Sequence, residues 1–133
     1  MKTKIVSAQE LVAEARESIA EMDARMVEPS VSNGAALIDV REPSEFAAGH
    51  LAGAVNIPRG ILEFEVFGNA ALGGVSATES SRRSRPIVVY CHSGGRAALA
   101  AASLKRLGFG NVTSIAGGIV AWEAAGYPTT TNQ

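Results

Sequence analysis

The chain has one cysteine, Cys91, and the residues around it could make its thiol a nucleophile. The apolar run Ile87–Tyr90 before it is typical of a buried parallel strand, and the loop after it holds Gly94, Gly95 and Arg96 ahead of an alanine-rich segment. Backbone N–H groups of such a loop, together with the positive end of the next helix, can bind an anion. A thiol held there loses its proton more easily, so the pattern predicts a reactive thiolate.

The alternative for Cys91 is a structural cysteine that is buried as a small hydrophobic side chain. That is the more common state of a lone cysteine. Core packing, however, does not need Gly94, Gly95 and Arg96 beside the thiol. The loop composition therefore favours the reactive cysteine.

Three separated sequence motifs occur along the chain in a fixed order. The first covers residues 38–46 and 49–58, the second residues 91–96, and the third residues 115–122. Together they resemble the N-terminal signature, the active-site loop and the C-terminal signature of rhodanese domains. The resemblance extends from about residue 36 to residue 128 and rests on all three motifs.

This resemblance implies a rhodanese-like three-layer α/β fold, in which helices flank a central parallel sheet of five strands. Alternating strands and helices also indicate an α/β fold with a parallel sheet, and 133 residues suffice for one core. We expect residues 36–128 to form the domain core and residues 1–35 to add an N-terminal helix and a connecting loop to the same domain. Residues 129–133 are expected to be a C-terminal tail.

The N-terminal portion is longer than in minimal rhodanese domains. Ser7 and Glu10 form a capping box, and apolar residues at helical spacing predict a helix from there to about Arg25. Residues 27–35 contain Pro29 and Gly34 and are predicted to be a loop. The fifth strand of the sheet is expected near residues 4–6.

The rest of the chain alternates between short strands and helices. Strands are predicted at residues 36–40, 54–57, 87–90 and 112–115, and helices at residues 44–48, 61–66, 97–107 and 118–125. Residues 68–85 form a long connection with the basic run Arg82, Arg83 and Arg85. A solvated basic loop is the favoured interpretation of this run, and an anion or partner contact is the alternative.

The resemblance also implies an activity, which is sulfur transfer. A Cys91 thiolate would attack the outer sulfur of thiosulfate or of a persulfide, and the resulting persulfide would pass its sulfur to cyanide, a thiol or an acceptor protein. Loop N–H groups can stabilise the terminal sulfur anion, so we expect no metal and no cofactor. The residues expected to bind the anion or persulfide are His92, Ser93, Gly94, Gly95 and Arg96.

Two other functions stay open. Cysteine phosphatases place five residues between the cysteine and the arginine, whereas four separate Cys91 from Arg96 and Ala97 occupies the later position. A phosphatase or an arsenate reductase is therefore the less favoured enzyme. Some rhodanese modules only bind or regulate, although this chain keeps the cysteine, the loop glycines and the arginine.

Several residues near the loop are expected to support it. Arg96 either contacts an anionic donor or pairs with a carboxylate such as Asp39 or Glu45. Asp39 and Arg41 are expected to form a structural network at the end of a strand. The ring of His92 is expected to face solvent, so that its backbone N–H matters more than its imidazole; the alternative is a charged ring that tunes the thiol.

Two residues of the outer motifs are interpreted as structural. His50 is expected to be a hydrogen-bonded residue rather than a catalytic one. Trp122 lies at helical spacing from Ile119 and is expected in the core.

Composition narrows the partners and the compartment. The formal net charge is −1, with 47% apolar and 19% charged residues, which gives no field that would collect nucleic acid or an anionic membrane. No apolar run is long enough to span a bilayer, and no secretory signal is evident. One cysteine excludes an internal disulfide, and a free reactive thiol is best kept in a reducing compartment. We therefore expect a cytoplasmic protein.

Overall fold

The computed structural model describes residues 4–72 and 78–132, and within them a five-stranded parallel sheet is flanked by helices. Its strands are β1 (Ala20–Met22), β2 (Ala36–Asp39), β3 (Val55–Asn56), β4 (Ile87–Tyr90) and β5 (Val112–Ile115). They lie in the order β1-β5-β4-β2-β3, and every pair is parallel. The expected α/β fold with a central parallel sheet of five strands is confirmed.

Seven α-helices pack around this sheet in the described part of the chain. They are α1 (Ala8–Ser18), α2 (Val27–Ser32), α3 (Pro43–Ala48), α4 (Leu62–Glu65), α5 (Glu79–Ser84), α6 (Gly95–Arg106) and α7 (Gly118–Ala124). Short 3₁₀ turns at Ala24–Met26, Arg59–Ile61 and Ala70–Leu72 connect some of them. None of the helices described here is long and apolar enough to cross a membrane.

Each face of the sheet buries its own apolar cluster. Ile87 and Val89 of β4 belong to the cluster that also contains Ala97, Ala101 and Leu104 of α6. The alternate residues of β4, Val88 and Tyr90, belong to the second cluster, with Val27 of α2 and with Ile119 and Trp122 of α7. Because both faces are covered, β4 is apolar at every position, as expected for a central parallel strand.

The expectations for the N-terminal helix and for the fifth strand were wrong. Helix α1 ends at Ser18 instead of continuing to Arg25, and β1 is Ala20–Met22 rather than residues 4–6. Ile19 is already extended, and the three residues after it pair with Thr113, Ser114 and Ile115 of β5. Ile19 and Met22 are three positions apart, which suits a helix as well as a strand. Pairing with the free edge of β5 decides between the two.

The loop predicted at residues 27–35 was also wrong in its first part. Val27–Ser32 form helix α2, in which Val27 is buried and the hydroxyl of Ser30 donates to the carbonyl of Met26. Pro29 suggested a loop, but it lies in the first turn, where its missing N–H would have no intrahelical partner. The helix ends before Gly34, whose φ of 102° lies in the left-handed region.

The basic run is not a solvated loop. Thr78 caps helix α5 by accepting from the N–H of Ser81, and Arg82 is buried. The Nη1 atom of Arg82 donates to the carbonyls of Phe67 and Asn69 at 2.8 and 3.1 Å. These contacts satisfy carbonyls in the connection that precedes α5. Residues 73–77, which lie within the expected 68–85 connection, are outside the described residues.

The neighbouring arginines of this run also bind carbonyl oxygens. Arg83 donates from Nε to the carbonyl of Leu107 at 3.0 Å, and Arg85 donates from Nε to that of Gly34 at 2.7 Å. The basic run therefore joins α5 to the ends of α2 and α6.

Truncation of Arg82 tests this structural role. We expect Arg82→Ala to lower the free energy of unfolding by about 2 kcal/mol, because it leaves partly buried carbonyls without a charged donor. Urea denaturation measures the change. Arg106→Ala, at an exposed position in the last turn of α6, is the matched control and should change stability by less than about 0.5 kcal/mol. Equal effects of the two substitutions would show that the contacts of Arg82 do not stabilise the fold and would support a solvated side chain.

Candidate active site

Cys91 lies immediately after β4, at the carboxyl end of the sheet, where reactive groups collect in parallel α/β folds. The residue is 1% exposed. Its Sγ atom accepts a hydrogen bond from the backbone N–H of Gly94, with 3.1 Å between nitrogen and sulfur, and a longer one from Ala97 at 3.4 Å. Amide dipoles at the start of α6 therefore point at the sulfur. This arrangement stabilises negative charge on it.

The loop reaches this shape through Gly94, which has a φ of 120° and precedes the first residue of α6. This conformation is one that side-chain-bearing residues rarely adopt. His92 and Ser93 are exposed, so the ring of His92 lies where the sequence analysis expected it. Gly95 is the first residue of α6, and helix formation thus begins two positions before the predicted Ala97.

Helix α7 supports the loop from the other side. The N–H of Ile119 donates to the carbonyl of Cys91 at 3.0 Å, and the N–H of Val120 donates to that of His92 at 3.1 Å. Both loop carbonyls are thereby held toward α7. The first residues of this helix would otherwise have N–H groups without intrahelical partners.

Gly118 allows α7 to come this close. A Cβ atom at this position would lie 2.4 Å from the carbonyl oxygen of His92 and 2.6 Å from that of Cys91, and φ is +59°. The third motif, residues 115–122, contains Gly117 and Gly118, but their contact with the cysteine loop was not predicted. The signal was present in the two successive glycines before a helix.

Arg96 pairs with Glu45 of α3. Its Nη1 and Nη2 atoms donate to the two carboxylate oxygens at 2.7 and 3.1 Å, so the contact is bidentate. Hydrogen bonding from Arg96 lowers the pKa of Glu45 to about 2, and the carboxylate in turn raises the pKa of Arg96. Of the two contacts that the sequence left open for Arg96, the structure contains the pairing with a carboxylate.

Asp39 and Arg41 form a buried pair at the end of β2. The Arg41 guanidinium donates from Nη2 to Oδ2 at 2.8 Å and from Nε to both carboxylate oxygens at 3.1 Å. Its Nη2 atom also donates to the carbonyl of Gly49 at 2.7 Å. Burial works against the charge on Arg41, but its hydrogen bonds to Asp39 outweigh that effect and raise the pKa of the guanidinium. Among the described residues neither side chain hydrogen-bonds to the cysteine loop.

Two further residues have the structural contacts expected of them. The His50 ring is buried, with Nδ1 2.8 Å from the carbonyl oxygen of Phe46 and Nε2 2.7 Å from that of Asn132. Trp122 is buried and donates from Nε1 to the carbonyl of Pro128 at 2.9 Å. His50 and Thr130 also form an antiparallel bridge. These contacts tie the C-terminal residues to the body of the domain.

Comparisons with known proteins identify the family of this chain. The rhodanese-like domain family model matches residues 18–125. The chain is 36% identical to thiosulfate sulfurtransferase 16, chloroplastic, of Arabidopsis thaliana over 69% of this chain and 77% of the relative.

Two solved structures share the fold. A rhodanese-related protein from Thermoplasma volcanium superimposes with a TM-score of 0.68 at 28% identity, over 85% of this chain and 99% of that one. A protein of unknown function from Rhodopseudomonas palustris, described as a possible tyrosine phosphatase, gives a TM-score of 0.77 at 27% identity, over 98% and 99% of the two chains. With its fold, its three motifs and sulfurtransferase relatives, the chain belongs to the rhodanese-like domain family.

Proposed function

We propose that this protein is a sulfurtransferase that moves a sulfane sulfur from thiosulfate or a persulfide donor to a thiophilic acceptor through a persulfide on Cys91. The observation that carries the proposal is the position of Sγ, which faces the N–H groups of Gly94 and Ala97 at the start of α6. Family membership supports sulfurtransferase activity in general. The substrates and the covalent intermediate are the proposed part.

The first half-reaction is an attack of the Cys91 thiolate on the outer sulfur of the donor. A new S–S bond forms, and the bond between the two donor sulfurs breaks. With thiosulfate, its electron pair leaves on sulfite. In the second half-reaction a thiophile such as cyanide, a thiol or a protein thiol attacks the outer sulfur of the persulfide. The electron pair of the broken bond returns to Sγ, and the cysteine thiolate is regenerated.

The loop amides supply the electrostatic part of this chemistry. They already point at the sulfur before substrate arrives, so little reorganisation is needed when negative charge develops there. The carbonyls of Cys91 and His92 are turned away toward α7, which keeps their oxygens from repelling the anion. The two half-reactions as written involve no metal or cofactor.

We assign Arg96 as a brace for the loop rather than as a ligand for the donor. Its two carboxylate contacts hold the guanidinium toward Glu45 on α3. Asp39 and Arg41 would act indirectly, by holding the end of β2 in place beside β4.

Phosphatase chemistry is the second candidate, because the similar structure from Rhodopseudomonas palustris is described as a possible tyrosine phosphatase. Two features of this chain argue against it. Only four residues separate Cys91 from Arg96, which gives a narrower loop than the five of cysteine phosphatases. Arg96 is also held by Glu45, so its guanidinium would not be free for a phosphoryl group.

A non-catalytic binding module is the third candidate. It would not need a cysteine sulfur that faces two amide donors.

The single free cysteine also leads us to propose a reducing compartment, the cytoplasm, as the place of action.

The covalent intermediate gives the direct test of the proposed function. We expect the intact mass to rise by one sulfur atom on incubation with thiosulfate and to fall again when cyanide is added, with release of thiocyanate. Cys91→Ser should abolish both changes while its circular dichroism spectrum stays that of the folded protein.

The same preparations distinguish the alternatives. Hydrolysis of an aryl phosphate should stay near background in the unmodified protein. Robust phosphatase activity that depends on Cys91 would assign the site to phosphoryl transfer. An unchanged mass together with no hydrolysis would support the binding module.

The Arg96–Glu45 pair predicts a pH-dependent contribution to stability. Glu45→Gln keeps the hydrogen bond that the side chain accepts from the N–H of Glu42 but removes the charge. The pKa of Glu45 is depressed in the folded state, so its contribution is full above the unfolded value of about 4.3 and is lost as pH falls toward about 2. We expect the variant to be less stable by about 1 kcal/mol at pH 7, since the pair is partly exposed.

Urea denaturation from pH 7 down to pH 3 measures this dependence. The difference between wild type and Glu45→Gln should shrink below pH 4.5. Glu123→Gln, on the exposed side of α7, is the control and should show no such convergence. A constant difference across this pH range would mean that the pair does not stabilise the fold through charge.

Gly118 provides a test of the loop's support. We expect Gly118→Ala to slow persulfide formation tenfold or more, because the new Cβ would displace the carbonyls of Cys91 and His92 and so misplace the loop. The protein is mixed rapidly with thiosulfate and quenched at set times, and the intact mass at each time gives the rate of persulfide formation. Gly110→Ala is the matched control, since a Cβ there meets nothing within 4 Å and the substitution should leave the rate unchanged. Equal rates in the two variants would show that close packing of α7 is not needed.

A further inference from the structure

Helix α1 lies directly against the cysteine loop. A Cβ atom at Gly94 would lie 2.9 Å from an Nη atom of Arg16, and one at Gly95 would lie 3.7 Å from the Cγ2 atom of Val12. Arg16 therefore lies beside Gly94, and Val12 lies within van der Waals range of Gly95. Most of α1 precedes residue 18, where the match to the family model begins, so this contact is a feature that the family match does not cover.

A shallow surface cavity of about 340 Å³, open to solvent, lies where α1 meets the loop. Its lining residues are Ala8, Gln9, Val12 and Arg16 of α1 together with Ser93 and Gly95 of the loop. One wall is therefore partly apolar. Arg16 supplies a cation to the cavity. The opposite side is formed by the loop that holds the reactive sulfur.

Arg16 differs in its contacts from the other arginines around the site. Arg41 and Arg96 each make bidentate hydrogen bonds to a carboxylate. The Nε atom of Arg16 is 3.7 Å from the carboxylate of Glu21, beyond hydrogen-bond distance, and within residues 4–72 and 78–132 its guanidinium makes no hydrogen bond. Its side chain is 43% exposed. The group can therefore bind an incoming anion.

The guanidinium also lies close to the reactive sulfur, with Gly94 between the two groups. The N–H of Gly94 is 3.1 Å from Sγ, and a Cβ on the same residue would be 2.9 Å from the Nη atom of Arg16. Standard bond lengths then place that Nη atom at most about 9 Å from the sulfur. A thiol with a carboxylate two or three carbons away spans most of this distance.

We propose that the cavity between α1 and the loop is an acceptor subsite, in which Arg16 binds the carboxylate of a small thiol that removes sulfur from Cys91. The apolar part of the wall, Ala8 and Val12, would contact the carbon chain between the two groups. Thiosulfate has no such chain, because its sulfonate is bonded directly to the reacting sulfur. This inference rests on the proposed function and names its acceptor class.

The transfer balances without another reactant. The acceptor thiolate attacks the outer sulfur of the Cys91 persulfide, and a new S–S bond forms between them. The bond from the outer sulfur to Sγ breaks, and its electron pair stays on Sγ. The products are the acceptor persulfide and the Cys91 thiolate, with no net oxidation or reduction of the pair.

Single-turnover transfer from the protein loaded with thiosulfate and then desalted tests the proposal. The acceptors are 3-mercaptopropionate, 2-mercaptoethanol and 2-aminoethanethiol, which carry a carboxylate, a neutral hydroxyl and an ammonium group. The proteins are wild type, Arg16→Gln, Arg16→Glu and, as a charge-matched control, Arg106→Glu at an exposed position. Each rate is followed by loss of one sulfur from the intact mass and is compared with wild type for the same thiol.

We expect Arg16→Gln and Arg16→Glu to slow transfer to 3-mercaptopropionate by about tenfold and to leave 2-mercaptoethanol within about twofold. Arg16→Glu should also speed transfer to 2-aminoethanethiol, and Arg106→Glu should change none of the three rates by more than about twofold. In wild type, added salt should slow the carboxylate thiol but not the neutral one. The salt experiment uses only the wild-type protein, so its result stays interpretable even if a substitution unfolds the chain.

Other outcomes would overturn the inference in distinguishable ways. The same rate change relative to wild type for all three thiols in the Arg16 variants, or no salt effect in wild type, would exclude an acceptor subsite at Arg16. Slower loading by thiosulfate with unchanged thiol transfer would assign Arg16 to the donor instead. Failure of wild type to take up sulfur would refute the proposed function itself, before the acceptor step is reached.

Discussion

The cysteine loop depends on the direction of its own carbonyl groups. The N–H groups of Ile119 and Val120 hold the carbonyls of Cys91 and His92 toward α7, while the N–H groups of Gly94 and Ala97 point at Sγ from the other side. Donors and acceptors of the same short loop are thus separated in space. An anion at the sulfur meets dipoles of favourable sign only because of this separation.

The sheet holds these parts in place through its two apolar faces. Alternate residues of β4 pack toward α6 and toward α7, so that one strand positions both helices whose N-termini meet at Cys91. At the carboxyl end of β2, Asp39 and Arg41 form a buried pair. Their mutual hydrogen bonds, and one from Arg41 to the carbonyl of Gly49, balance the buried charges of the carboxylate and the guanidinium. A rigid frame of this kind suits chemistry that tolerates little displacement of the reacting atoms.

The arginines of this protein divide by their partners. Arg82, Arg83 and Arg85 donate to backbone carbonyls, Arg83 is also paired with Glu79, and Arg41 and Arg96 are paired with carboxylates. Such contacts occupy N–H donors of the guanidinium and leave fewer of them for a ligand. In the part of the chain that the structure describes, the only partner of the Arg16 guanidinium is Glu21 at 3.7 Å, and the side chain faces a cavity beside the loop. A positive residue in the sequence is therefore not by itself a sign of anion binding, and the difference lies in what surrounds each side chain.

Local patterns in the sequence determined much of this protein. The apolar runs predicted four strands, and the spacing from Cys91 to Arg96 together with the loop glycines predicted a cysteine loop at the end of a strand, because these are properties of neighbouring residues. The assignment of Ala20–Met22 to the sheet could not be read locally, since it depends on the edge of β5, which lies some ninety residues later in the chain. The same holds for Pro29 in α2, for the burial of Arg82 and for the choice of Glu45 as the partner of Arg96. Tertiary structure alone decided the contact of Gly118 with the loop and the position of Arg16 beside Gly94, because packing brings together groups that sequence distance does not relate.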